Sequence, residues 1–117
     1  MSGYNQKIGA WGESVAANYL EEHGYIVVAR NVRTPHGEID IVAEKDGITS
    51  FVEVKTRSSS KYGPPEIAVT PRKQEHMLAS AEHYAQENEF DHWQIDVIAV
   101  KREHNGTPEI IHFENAL

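Results

Sequence analysis

Residues 37–57 read GEIDIVAEKDGITSFVEVKTR, two β-prone runs joined by Asp46-Gly47. Asp-Gly between alternating apolar runs is a strong short-range hairpin signal. A two-residue turn there pairs Lys45 with Ile48, and counting back along the ladder puts Asp40 directly opposite Glu53. Carboxylates facing each other across a ladder repel, so a chain that keeps them is expected to hold a cation between them. A four-residue loop preserves this register. A three-residue loop slips it by one and parts the two acids.

Strand alternation assigns the faces. Phe51, Glu53, Lys55 and Arg57 share one face of the later strand, and Val52, Val54 and Thr56 the other. On the earlier strand Asp40, Val42 and Glu44 share a face, opposite Ile39, Ile41 and Ala43. Hard oxygen ligands on neighbouring strands suit Mg²⁺ or Mn²⁺, which take one or two carboxylates and complete their shells with water or phosphate oxygens. Lys55 would position or deprotonate a water, or neutralise a developing negative charge. The alternative is a plain cross-strand ion pair, with Lys55 bridging the carboxylates on a half-exposed sheet. Spacing alone leaves both readings open.

The flanking chain supplies the other elements. Residues 4–23 carry Ile8, Trp11, Gly12, Val15, Ala16, Tyr19 and Leu20 at spacings of three and four, which predicts an amphipathic helix stopped by Gly24. Glu13 falls beside that apolar stripe rather than opposite it, as a solvated glutamate or as a member of a site. Residues 25–32 (YIVVARNV) read as a strand, followed by a turn-rich connection to the hairpin strands at 38–44 and 48–57. Residues 58–65 form a polar Gly/Pro/Ser-rich loop, long for a small domain. Thr70-Pro71 opens a second helix as N-cap and first helical residue, running to about Asn88 with Met77, Leu78, Ala81, Tyr84 and Ala85 inward. A strand at 93–101, an Asn105-Gly106 turn and an edge strand at 109–113 complete the order. Asp96 stands as a charge among Ile95, Val97 and Ile98, in a structural or supporting role. The order α-β-β-β-α-β, plus one strand, predicts a single α/β domain over 1–117, its mixed sheet flanked by helices.

Charge narrows the function classes. A net charge of −7 argues against coating nucleic acid by bulk electrostatics. Yet residues 54–74 hold Lys55, Arg57, Lys61, Arg72 and Lys73 against one acid, Glu66, enough to grip phosphates locally or simply to solvate a loop. The seven histidines lack an HExxH pattern, and with no cysteine there is neither a disulfide framework nor a thiolate metal site. No apolar run nears the ~20 residues of a membrane span, and MSGYNQK precedes no signal core. A cytoplasmic protein without a membrane partner is expected.

GEID at 37–40 followed by FVEVKTR at 51–57 resembles motifs II and III of the PD-(D/E)xK nuclease superfamily, whose restriction-endonuclease-like core has the order αβββαβ. Nearly the whole chain resembles the YraN-type family of small bacterial proteins: the GxxGExxAxxYLxxxGY pattern from Gly9 to Tyr25, RNVRTPHGEIDIVA, FVEVKTR and IDVIAV. The resemblance implies that Asp40 and Glu53 hold the metal, that Lys55 is the catalytic lysine, and that Glu13 is the first-helix acid of nucleases of the Holliday-junction-resolvase type. Ile39 replaces the proline before the motif II aspartate. No Gln-x-x-x-Tyr follows motif III, since the fourth residue after Gln74 is Leu78. That argues against a RecB-like exonuclease and leaves Lys73 and Gln74 as backbone-contacting residues beside Arg57, Lys61 and Arg72. The expectation is a Mg²⁺- or Mn²⁺-dependent endonuclease hydrolysing DNA, with branched or repair-intermediate DNA as the substrate class and a homodimer by analogy. The alternative is a catalytically silent nucleic-acid-binding or scaffold protein of the same fold.

Overall fold

The computed structural model describes residues 2–57, 69–103 and 106–117. The elements are α1 (Ser2–Glu22), β1 (Ile26–Thr34), β2 (Gly37–Lys45), β3 (Ile48–Arg57), α2 (Pro71–Glu87), β4 (Trp93–Arg102) and β5 (Pro108–Phe113). The expected αβββαβ order is present, with β5 as the added strand. The strands form one mixed sheet in the order β1-β2-β3-β4-β5, with β3 and β4 parallel and all other neighbours antiparallel. Antiparallel neighbours need only short turns, whereas the parallel β3–β4 pair requires a crossover, and α2 lies within that connection.

Each helix covers one face. On the α1 side Ala16, Ala17 and Leu20 pack on Ile41, Ala43, Val52, Ile98 and Val100. On the other side Met77, Ala81 and Ala85 of α2 pack on Ile39, Val42, Phe51, Ile95 and Val97. Strand β4, covered on both faces, is buried from Ile95 through Val100, as expected of a strand between two helical layers. Helix α1 ends as its sequence predicts: Gly24 takes φ +90°, and the Gly24 and Tyr25 amides return to the Glu21 and Leu20 carbonyls, a Schellman-type stop. Thr70 caps α2 by accepting the Lys73 N–H, with Pro71 behind it. In α2 the inward set differs at one position. Leu78 is 41% exposed, and Ser80 is buried in its stead, where its hydroxyl lies 2.9 Å from that of Thr34 at the β1–β2 turn.

The Asp46-Gly47 turn has both central residues at positive φ, +54° and +80°, the requirement of a type I′ hairpin. Lys45 pairs with Ile48, and the expected even register runs back to Ile41 opposite Val52. There the paired positions end, one short of Asp40 and Glu53, so the two acids are not a ladder pair as the sequence reading had them. The face assignment also changes at this point. Ile39 packs with Val42 and Phe51 against α2 rather than with Ile41 and Ala43 against α1. The facing strand β1 is irregular at the same level. Asn31, between the pairs Arg30–Ile41 and Val32–Ile39, sits at φ +54°. Asn tolerates the left-handed region better than most residues, and a residue in it breaks the two-residue alternation.

Candidate metal and phosphate site

The opened end of the β2–β3 ladder is where the predicted site residues gather. Beyond Ile41–Val52 the Val54 N–H donates to Asp40 Oδ2 at 2.8 Å, so a side-chain oxygen takes up an amide of the inner strand. Glu53, 8% exposed, borders this point from β3. Its Oε2 faces two ammonium groups, Lys55 Nζ at 3.8 Å and Lys73 Nζ at 3.5 Å. Lys55 lies two residues along the same strand, and Lys73 comes from the first turn of α2.

The electrostatics single out Asp40. Burial, reinforced by the negative charge of Glu53, pushes its carboxyl up to about 7; the Val54 N–H opposes this, and Glu13 and Glu38 add to it. Glu13 is also raised, chiefly by burial; Arg30 lowers it, Glu38 raises it, a hydrogen bond from Asn31 lowers it, and Glu53 raises it again. Four carboxylates from α1, β2 and β3 thus feel one another around Asp40. Such crowding disfavours ionisation unless a cation arrives.

Helix α1 reaches this cluster because it lies close on β3. Gly12 is buried, and a Cβ there would collide with the Thr56 side chain. The glycine therefore lets the helix approach the sheet and bring Glu13, the next residue, toward Asp40.

The donor chemistry fits a hard divalent ion. Among the described residues no three His, Cys, Asp or Glu side chains converge to hold a metal. The offer is two carboxylates, and Mg²⁺ commonly accepts one or two, leaving the rest of its shell to water and phosphate. The crowding at Asp40 is the feature a bound cation would relieve.

The structure brings Asp40, Glu53, Lys55, Lys73 and Glu13 into one electrostatic group. Arg57 ends β3 half-buried, and Arg72 is exposed beside Lys73. Gln74 turns elsewhere. Its Nε2 donates to the Val69 carbonyl at 3.2 Å, and it lines a cavity of about 570 Å³ with Val97 and Phe113 that no site carboxylate borders. The structure thus ties the Gln74 side chain to its own helix start rather than grouping it with the carboxylates. Lys61 and the loop at 58–65 lie outside the described residues. Sequence reasoning missed Glu38, Arg30 and Asn31. Glu38 stands two residues before Asp40 in the same motif, and an asparagine inside an otherwise β-branched run is a legible sign of a positive-φ position.

Asp96 is structural. Fully buried, it accepts from Gln94 Nε2 at 2.9 Å and the Asn115 N–H at 2.9 Å, and lies 2.8 Å from His112 Nε2. His112 Nδ1 meets the Tyr19 hydroxyl at 3.2 Å, tying β4, β5 and the end of α1 together.

No helix among the described residues is long and apolar enough to cross a membrane. The model of the uncharacterised protein family UPF0102 matches residues 12–100. A UPF0102 protein of Syntrophomonas wolfei is 43% identical over 114 residues, covering 96% of this chain and 98% of the relative. One from Syntrophotalea carbinolica is 44% identical over 111 residues, covering 93% and 89%. A third, from Dehalococcoides mccartyi, is 44% identical over 100 residues and 83% of each chain. With the family pattern spanning both the α1 glycine and acid and the whole hairpin, the chain belongs to the bacterial UPF0102 family, the YraN family of the sequence comparison.

Proposed function

We propose that this protein is a divalent-metal-dependent nuclease of the PD-(D/E)xK type that hydrolyses phosphodiester bonds in DNA. The observation that carries the reading is the half-buried Asp40 carboxyl, set beside the buried Glu53 at the open end of the ladder and bonded there to the Val54 N–H. Crowded carboxylates of this kind cost the metal-free fold stability, and a bound cation would offset that cost. Asp40 and Glu53 would hold Mg²⁺ or Mn²⁺. The ion, when bound, would polarise the phosphoryl group and lower the pKa of a water. Lys55, its ammonium already 3.8 Å from Glu53, would orient the attacking water and offset charge on the pentacovalent phosphorus. Glu13 would hold or accept a proton at the edge of the same group. Arg57, Arg72 and Lys73 would receive the flanking phosphates, joined by Lys61, with branched or repair-intermediate DNA as substrate class.

A second reading is supported by the ion pairs themselves. Glu53 already has two lysine partners, and the chain carries a net charge of −7, which suit a binding or scaffold protein that keeps the fold without cutting. Cleavage of a panel of linear, flapped and four-way DNA in Mg²⁺ and Mn²⁺ separates the two. Wild type is expected to cut at least one substrate, and Asp40→Ala and Lys55→Ala to lose about 10²–10⁴-fold, the range for losing a positioned catalytic group. Equal absence of cleavage in wild type and both variants across the panel would leave the binding reading standing.

A further inference from the structure

Lys73 occupies an unfavourable place for a cation. It lies in the first turn of α2, beside Arg72 and without an acid in that turn, where the helix dipole disfavours positive charge. Its compensation is Glu53, 3.5 Å from Nζ. Lys55 shares the same carboxylate oxygen from 3.8 Å. The two lysines differ in freedom. Lys55 is tied to Glu53's own strand and its side chain is 22% exposed; Lys73 reaches over from another element and is 44% exposed. The backbone of Lys73 is held by the Thr70 cap, while four side-chain torsions leave its ammonium able to swing.

We propose that Lys73 is a displaceable counter-cation, neutralising Glu53 until a divalent ion binds and then turning to a phosphate of the substrate. This rests on the metal-site reading above and adds the coupling. Lys73 competes with the metal for Glu53, and its release supplies a phosphate contact. Metal and DNA binding are therefore cooperative, and linkage makes the effect reciprocal. Among the described basic residues beside the site, Lys73 suits the role because it alone both pairs with Glu53 and stands on a different element.

Calorimetric Mn²⁺ titration of wild type, Lys73→Gln, Lys73→Arg and Arg72→Gln tests this, alone and with a phosphorothioate-linked four-way DNA junction. Without DNA, Lys73→Gln should bind Mn²⁺ roughly two- to fivefold tighter, the scale of a part-exposed ion pair, and Lys73→Arg should resemble wild type. With the junction, the increase in DNA affinity caused by Mn²⁺ should shrink in Lys73→Gln. Arg72→Gln removes a charge from the same turn without touching Glu53, so equal tightening in both glutamine variants would mean bulk electrostatics and overturn the proposal. Wild-type Mn²⁺ binding that Lys73→Gln leaves unchanged or weakens also overturns it, while sparing the metal site. Absence of Mn²⁺ binding in wild type removes both. A thermal scan of each variant confirms that the exposed substitution leaves the fold intact.

Discussion

Asp40→Asn is expected to stabilise the metal-free protein by on the order of 2 kcal/mol at pH 8 and to abolish divalent-cation binding. The ordinary value for this carboxyl is 3.8, and the fold pushes it up to about 7. Between those values the folded state binds more protons than the unfolded chain, so stability falls as pH rises through that window. Below about pH 4 both states are protonated and the penalty vanishes; above about pH 7 it is complete. The full shift corresponds to about 4 kcal/mol at ~1.4 per unit, and partial solvent access argues for roughly half. Asparagine keeps an oxygen for the Val54 N–H but carries no charge toward Glu53. Urea unfolding at pH 4 and pH 8 should therefore show variant and wild type converging at the lower pH and separating at the higher. Saturating Mg²⁺ should narrow the gap at pH 8 by stabilising wild type alone. A gap independent of pH would mean that Asp40 carries no such strain.

The opposite sign is expected at the fully buried acid, Asp96. His112→Ala should destabilise the fold by about 3 kcal/mol, toward the low end of the range for stranding a buried charge. Asp96 is 0% exposed, and its Oδ2 depends on His112 Nε2 at 2.8 Å. Its other oxygen keeps Gln94 and the Asn115 N–H, which limits the loss. The cost should shrink in an Asp96→Asn background, because the stranded group is then neutral. Denaturant midpoints of the four proteins in this cycle give the coupling. Additive effects would show that the two side chains do not support each other.

These two acids also mark what could be read from the chain. Element order, the Gly24 stop, the Thr70-Pro71 helix start and the Asp46-Gly47 register depend on local chemistry, and each appears as expected. The gathering of Asp40 and Glu53 followed from that register. The opening of the ladder did not, because alternation assumes an unbroken pleat and the paired positions stop at Ile41–Val52. Leu78 and Ser80 traded places because the helix period resolves a stripe but not its edge. The Lys73–Glu53 and Asp96–His112 contacts join different elements. No periodicity encodes such pairs, although a lone acid in a buried strand does announce that some partner must exist.

The placement of a cation between Asp40 and Glu53 is the claim on which the rest depends. Crystals soaked in Mn²⁺ test it most directly, through anomalous difference density. One strong peak is expected within coordinating distance of both carboxylates, with Lys73 Nζ withdrawn from Glu53. Saturating Mn²⁺ that leaves no peak there, with both lysines still on Glu53, would contradict it.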